Sequence, residues 1–151
     1  MNVLLKTDSI ELDPVIPSDI QTELLYQQLR SRENSVSHCV LPSYENHKEF
    51  VAKHPYRAWF IIRSTDLVLG NVYVQYDNSI GLNCCNQINE SQIKSILDLI
   101  FIKLKPLDPI PSVRSSNFFL NVATSNIDLQ NKLTNLGLVE SQRSFVFQTK
   151  H

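Results

Sequence analysis

Gly81-Leu-Asn-Cys-Cys-Asn-Gln-Ile-Asn-Glu-Ser-Gln-Ile-Lys-Ser-Ile-Leu97 reads as a strand, a short loop and the start of an amphipathic helix. Such a junction is a natural anion site, because the first turn of a helix offers unpaired N–H groups and the positive end of its dipole. Glycine is the residue that lets a backbone wrap closely around a phosphate. Among the 151 residues there are three glycines, Gly70, Gly81 and Gly137, and none falls between Leu82 and Leu97. Asn89-Glu-Ser-Gln92 instead has the form of a capping box, an N-cap Asn with Gln three residues on, so the helix can satisfy its own terminal N–H groups. Glu90 adds a negative charge to the first turn, which favours the bare helix and opposes an anionic ligand. No Lys or Arg lies between Arg63 and Lys94 to offset it. The junction is expected to be closed.

Downstream, Ile93, Ile96, Leu97, Ile100, Phe101 and Leu104 form the cleanest helical stripe of the chain. A loop with Pro106, Pro109 and Pro111 follows, then a strand Phe118–Ala123. A helix capped by Thr124 or Ser125 runs through Ile127, Leu129, Leu133 and Leu136 and stops at Gly137. Leu138–Gln148 alternates as a last strand or hairpin, with Ser144-Phe-Val-Phe147 its clearest part. Upstream, Ala58–Arg63 and Leu67–Tyr76 are strands rich in aromatic and β-branched residues, separated by Ser64-Thr-Asp66 and followed by the turn Asp77-Asn-Ser79. Ser9–Leu12 is a short first strand, Ser18 caps a helix through Ile20, Leu24, Leu25 and Leu29, and Pro42-Ser43 opens another through His47, Phe50 and Val51. The order is β-α-α-β-β-β-α-β-α-β. It implies one α/β (α+β) domain over residues 1–151, a mixed, twisted sheet flanked by about four helices.

Apolar residues at 42% and charged residues at 19% are those of an ordinary globular protein. A net charge of −1 and a pI near 6.4 give no general attraction to nucleic acid or an anionic membrane. The opening Met1–Lys6 turns polar too soon for a secretory signal, and no apolar run approaches the ~18 residues of a membrane span. The expected compartment is the cytoplasm. Cys84 and Cys85 are adjacent and Cys39 is distant, so neither a disulfide framework nor a metal-binding spacing is present. His47 and His54 stand two helical turns apart, too far for an ordinary shared metal site.

The element order, with Ser37-His38 before Pro42, Tyr56-Arg-Ala-Trp-Phe-Ile-Ile62, Leu69-Gly-Asn-Val-Tyr73, and Asn126 ahead of Leu136-Gly-Leu138, resembles the GCN5-related N-acetyltransferase (GNAT) superfamily. The likeness is to its small bacterial members, particularly those acting on amino-sugars, and runs from about Ile16 to Phe147. It implies a cofactor, acetyl-CoA, and a small-molecule amine acceptor; dimers are common in such folds. The family cradles the pyrophosphate with Q/R-x-x-G-x-G/A. Here Asn89 stands at the Gln or Arg, Glu90 and Gln92 fall on glycine positions, and Lys94 on the last small residue. The tyrosine that protonates the departing thiolate is matched by Leu133, and the family's serine by Leu129.

On this resemblance His38 is the candidate for acceptor contact or general base, although a structural role is commoner for such a histidine. Asn83, Cys84, Cys85, Asn89, Ser91, Asn121 and Asn126 are the candidate cofactor contacts. Asn83 and Asn121 border the expected cleft between diverging strands, where they either pair with a ligand amide or face water. Trp59, Tyr73 and Tyr76 are candidates for an aromatic wall against a substrate ring, with core packing as the plainer reading. Two functions follow: N-acetyl transfer to a small amine with an altered cofactor loop, or a non-catalytic binding or assembly module on the same scaffold, with no cofactor.

Overall fold

The computed structural model describes residues 5–7, 9–31, 40–84 and 87–149, with side chains from residue 9 onward. Its elements are β1 (Leu5–Thr7), β2 (Ile10–Pro14), α1 (Asp19–Ser31), α2 (Tyr44–Ala52), β3 (Ala58–Ser64), β4 (Leu67–Val74), β5 (Ser79–Cys84), α3 (Glu90–Lys103), β6 (Phe119–Leu120) and α4 (Ile127–Asn135). They build one sheet in the order β1-β2-β3-β4-β5-β6. Every pair is antiparallel except β5 with β6, which is parallel. The sheet is mixed and flanked by four helices, an α+β arrangement.

The alternation of the strands sorts the core into two layers. Ile10, Leu12, Phe60, Ile62, Val72, Val74, Ile80 and Leu82 face α3 and α4, against Ile93, Ile96, Leu97, Ile100, Leu129 and Leu133. Trp59 and Ile61 face α1 and α2, against Leu25 and Val51. Leu129 and Leu133 thus serve as apolar core at the two positions where a hydroxyl was matched.

Local chemistry sets the element ends. Ser18 caps α1, its hydroxyl accepting from the Gln21 N–H at 3.3 Å. Ser43 caps α2, accepting from Asn46 N–H at 3.2 Å. Helix α4 ends in a Schellman turn: Gly137 takes φ +95°, its N–H bonds the Thr134 carbonyl, and Leu138 N–H bonds the Leu133 carbonyl, each at 3.0 Å.

The structure corrects several expectations. A first strand β1 pairs with β2 ahead of the expected start. β4 ends at Val74, so Tyr76 lies in the following turn and is 59% exposed rather than on the sheet. β6 pairs only at Ser79↔Phe119 and Ile80↔Leu120, which leaves Asn121 outside a strand and exposed. Helix α4 is capped by Asn126, whose side chain accepts from Leu129 N–H at 3.2 Å, not by Thr124 or Ser125. The last expected strand does not form: residues 138–149 hold no regular structure. Alternation in sequence specifies which face a strand shows but not which edge it joins, and this segment has no neighbour to pair with.

Asn78 anchors the β4–β5 turn to the proline-rich loop. It is fully buried at φ +72°, its Nδ2 donates to the carbonyls of Leu107 and Ser115 at 2.9 Å each, and its Oδ1 accepts from Leu107 N–H at 2.7 Å. Replacing it with Ala removes three hydrogen bonds to the backbone of Leu107 and Ser115 and a side chain suited to positive φ. Asn78→Ala is expected to lower unfolding stability by about 2–4 kcal/mol, measured by urea denaturation.

Candidate functional site

The start of α3 is closed by the residues that begin it. Gln92 N–H donates to Asn89 Oδ1 at 2.8 Å, and Asn89 N–H donates to Gln92 Oε1 at 3.0 Å, completing the capping box. Two contacts from α4 reinforce it. Asn135 Nδ2 donates to Glu90 Oε1 at 2.8 Å, and Lys132 Nζ donates to the Ile88 carbonyl at 2.6 Å while pairing with Asp128 at 2.7 Å. Lys132, brought to this corner by α4, is therefore already engaged by a carbonyl and a carboxylate. Ser91 is exposed in the first turn beside them.

Beyond Ile80↔Leu120 the parallel pairing of β5 with β6 stops, while β5 continues through Gly81–Cys84 along β4. Asn83 lies opposite Asn71, on the face that looks to α1 and α2, and Cys84 lies opposite Gly70, its thiol packing toward the α3 layer. His38 and Cys85 lie outside the described residues, so the structure places neither.

Across β3, β4 and β5 the α1/α2 face carries an aromatic cluster. Trp59 and Tyr73 are cross-strand partners, and Tyr73 stands opposite Gly81. Gly81 is required there: a Cβ would come within 2.0 Å of Tyr73 Cζ. The Tyr73 ring therefore lies flat over the glycine and stacks on Tyr56, centroids 4.1 Å apart and planes 9° apart. Tyr56 meets Trp59 edge-on at 5.1 Å, and His54 closes the cluster at 5.1 Å from Trp59. Trp59 is buried in this packing. Tyr76 takes no part in it.

Next to the rings runs a polar relay with a forced direction. Trp59 Nε1 can only donate, and it donates to Asn71 Oδ1 at 3.0 Å. Asn71 Nδ2 must then donate, and it reaches Gln28 Oε1 at 2.6 Å. Gln28 Nε2 is left as a buried donor with no acceptor among the described residues. The indole fixes both amide orientations, so the unpaired donor is not an exchange of Gln28 oxygen and nitrogen.

Sequence reasoning passed over Gln28, Lys132 and Asn135. Gln28 follows Leu24 and Leu25 at helical spacing, a polar residue on the buried side of α1, and that was its available signal. Lys132 and Asn135 reach residues more than forty positions away, and no local pattern marks them. Among the described residues no group of three or more His, Cys, Asp and Glu is placed to hold a metal, and no helix is long and apolar enough to cross a membrane. Comparison of the chain with protein-family models, curated proteins and solved structures gave no match.

The histidines here favour their neutral forms. His47, buried between α2 and α1, donates Nε2–H to the Thr22 carbonyl at 3.2 Å beside the Tyr26 ring. Desolvation holds its pKa below the usual 6.5, outweighing Thr22 and Glu23, which both favour the cation. Desolvation lowers His54 in the same direction. With the folded pKa below the unfolded one, the unfolded chain takes up more protons on acidification. The stability held by neutral His47 is present above the unfolded pKa and is lost as pH falls through the folded one. From about pH 7 to about pH 5 the melting temperature of the unaltered chain is expected to fall further than that of His47→Gln, read by circular dichroism.

Proposed function

We propose that this chain is a GNAT-like, acyl-CoA N-acyltransferase-type domain whose cofactor loop has been rebuilt as a self-capped helix start. In this reading it is a binding or assembly module in which transfer from acetyl-CoA is weak or lost. One observation carries it: two of the N–H groups at the helix start, those of Asn89 and Gln92, are taken by the capping box, with Glu90 fixed beside them by Asn135. A phosphate entering there would have to break two hydrogen bonds and approach a carboxylate. The ligand-facing surface is then the α1/α2 side of the sheet. Tyr56 and Tyr73 offer stacked rings and Gln28 offers an N–H that calls for an acceptor oxygen, a pairing suited to a small ring-bearing molecule with a carbonyl or hydroxyl group.

A second reading keeps transfer to a small amine, possibly an amino-sugar. It is favoured by the end of the β5–β6 pairing at Ile80↔Leu120, past which β5 runs on without β6 beside it. A pantetheine arm would pair there along Gly81–Asn83, and rate would come from positioning the reactants.

Calorimetric titration with acetyl-CoA separates the two. The unaltered chain is expected to show no binding, and Glu90→Gly with Gln92→Gly to gain it while remaining folded. Micromolar binding by the unaltered chain would establish the second reading and overturn the first.

A further inference from the structure

His47 and His54 hold their partners in opposite senses. His47 donates to the Thr22 carbonyl, a bond that its imidazolium also makes. His54 accepts: the Tyr56 N–H donates to its Nδ1 at 3.2 Å. A backbone N–H can only donate, so Nδ1 is bare and the ring's one proton sits on Nε2. Protonation at Nδ1 turns that acceptor into a donor and sets two N–H groups against each other.

The bond closes the turn His54-Pro55-Tyr56, which leads from α2 into β3 and carries the hub of the aromatic cluster. Tyr56 stacks on Tyr73 at 4.1 Å, meets Trp59 edge-on at 5.1 Å and meets Phe50 edge-on at 5.7 Å. His54 stands 5.1 Å from Trp59 and 5.6 Å from Tyr56. Rings at that range can stabilise a cation, but burial acts against it and holds the His54 pKa below 6.5. The titratable groups in the cluster are the phenols of Tyr56 and Tyr73. Of the neighbouring cations, Lys53 is exposed at the end of α2 and the Arg57 guanidinium donates to the Lys105 carbonyl at 2.8 Å. No carboxylate pairs with His54 among the described residues.

We infer that His54 is a proton-operated latch on the aromatic face: neutral, it keeps the turn closed and Tyr56 stacked on Tyr73; protonated, it releases the Tyr56 N–H and lets that ring leave the stack. The closed turn disfavours the proton and the open one accepts it at the ordinary pKa. Acidification therefore drives opening, as pH falls below 6.5 and through the lowered value of the closed turn. The latch belongs to the free chain and is independent of whether acetyl-CoA binds.

Trp59 is the one tryptophan of the chain, so its fluorescence reports this corner. From about pH 7 to about pH 5 its emission is expected to change while the far-UV circular dichroism holds. In nuclear magnetic resonance spectra the Tyr56 amide is expected to shift and lose protection with the same midpoint as the His54 ring. His54→Asn keeps an acceptor two residues before Tyr56, as in an Asx turn, and cannot titrate; its Tyr56 amide should stay protected at both ends of the range. His54→Phe keeps a ring without an acceptor, and its Tyr56 amide should be unprotected at both ends. A Tyr56 amide that stays in place while His54 titrates overturns the inference. So does an emission change that persists in His54→Asn, or one accompanied by loss of the helical signal at the same midpoint.

Discussion

The N–H groups at the start of helix α3 need partners, and the packing of Ile93, Ile96, Leu97 and Ile100 against the sheet fixes where that first turn stands. In a glycine-rich junction those donors are left for a ligand. Here the Asn89 and Gln92 side chains take two of them, and α4 locks the arrangement through Asn135 and Lys132. An N-cap of this kind contributes about 1 kcal/mol. That is small beside the burial of the isoleucines, yet it sits at the point where ligand binding and helix stability compete for the same hydrogen bonds. Stability has taken them.

The opposite side of the sheet follows from a different constraint. Tyr73 needs Gly81 beneath it, and the stack with Tyr56 follows from that contact. Trp59 is donor-only, so the amides of Asn71 and Gln28 point one way and a buried N–H is left without an acceptor among the described residues. A fully satisfied relay would read as core. An unfinished one, beside two stacked rings, gives this face its chemical character and separates it from the α3/α4 layer, which is almost wholly apolar.

What was legible in the sequence was local. The capping box needs residues three positions apart, and the Schellman turn at Gly137 needs five, so both can be seen without a fold. The α3 stripe and the three central strands announced themselves by period, although Phe101 faces out and stacks on Phe118 instead of joining the core. Contacts between distant positions were not legible. Asn78 reads as a turn former, and only the packed structure shows it holding Leu107 and Ser115. Asn126, carried as a cofactor contact, spends its side chain capping α4. Ser144–Phe147 has every local mark of a strand, and what it lacks is a partner, which no local pattern supplies.

The first amides of α3 belong either to the helix or to a ligand, and nuclear magnetic resonance reads those amides one by one. With Asn89 and Gln92 closing the helix, the Gln92 and Ile93 amides should exchange slowly in the free chain and keep their chemical shifts when acetyl-CoA is added. Fast exchange of these amides in the free chain, or their movement on addition of acetyl-CoA, would contradict it.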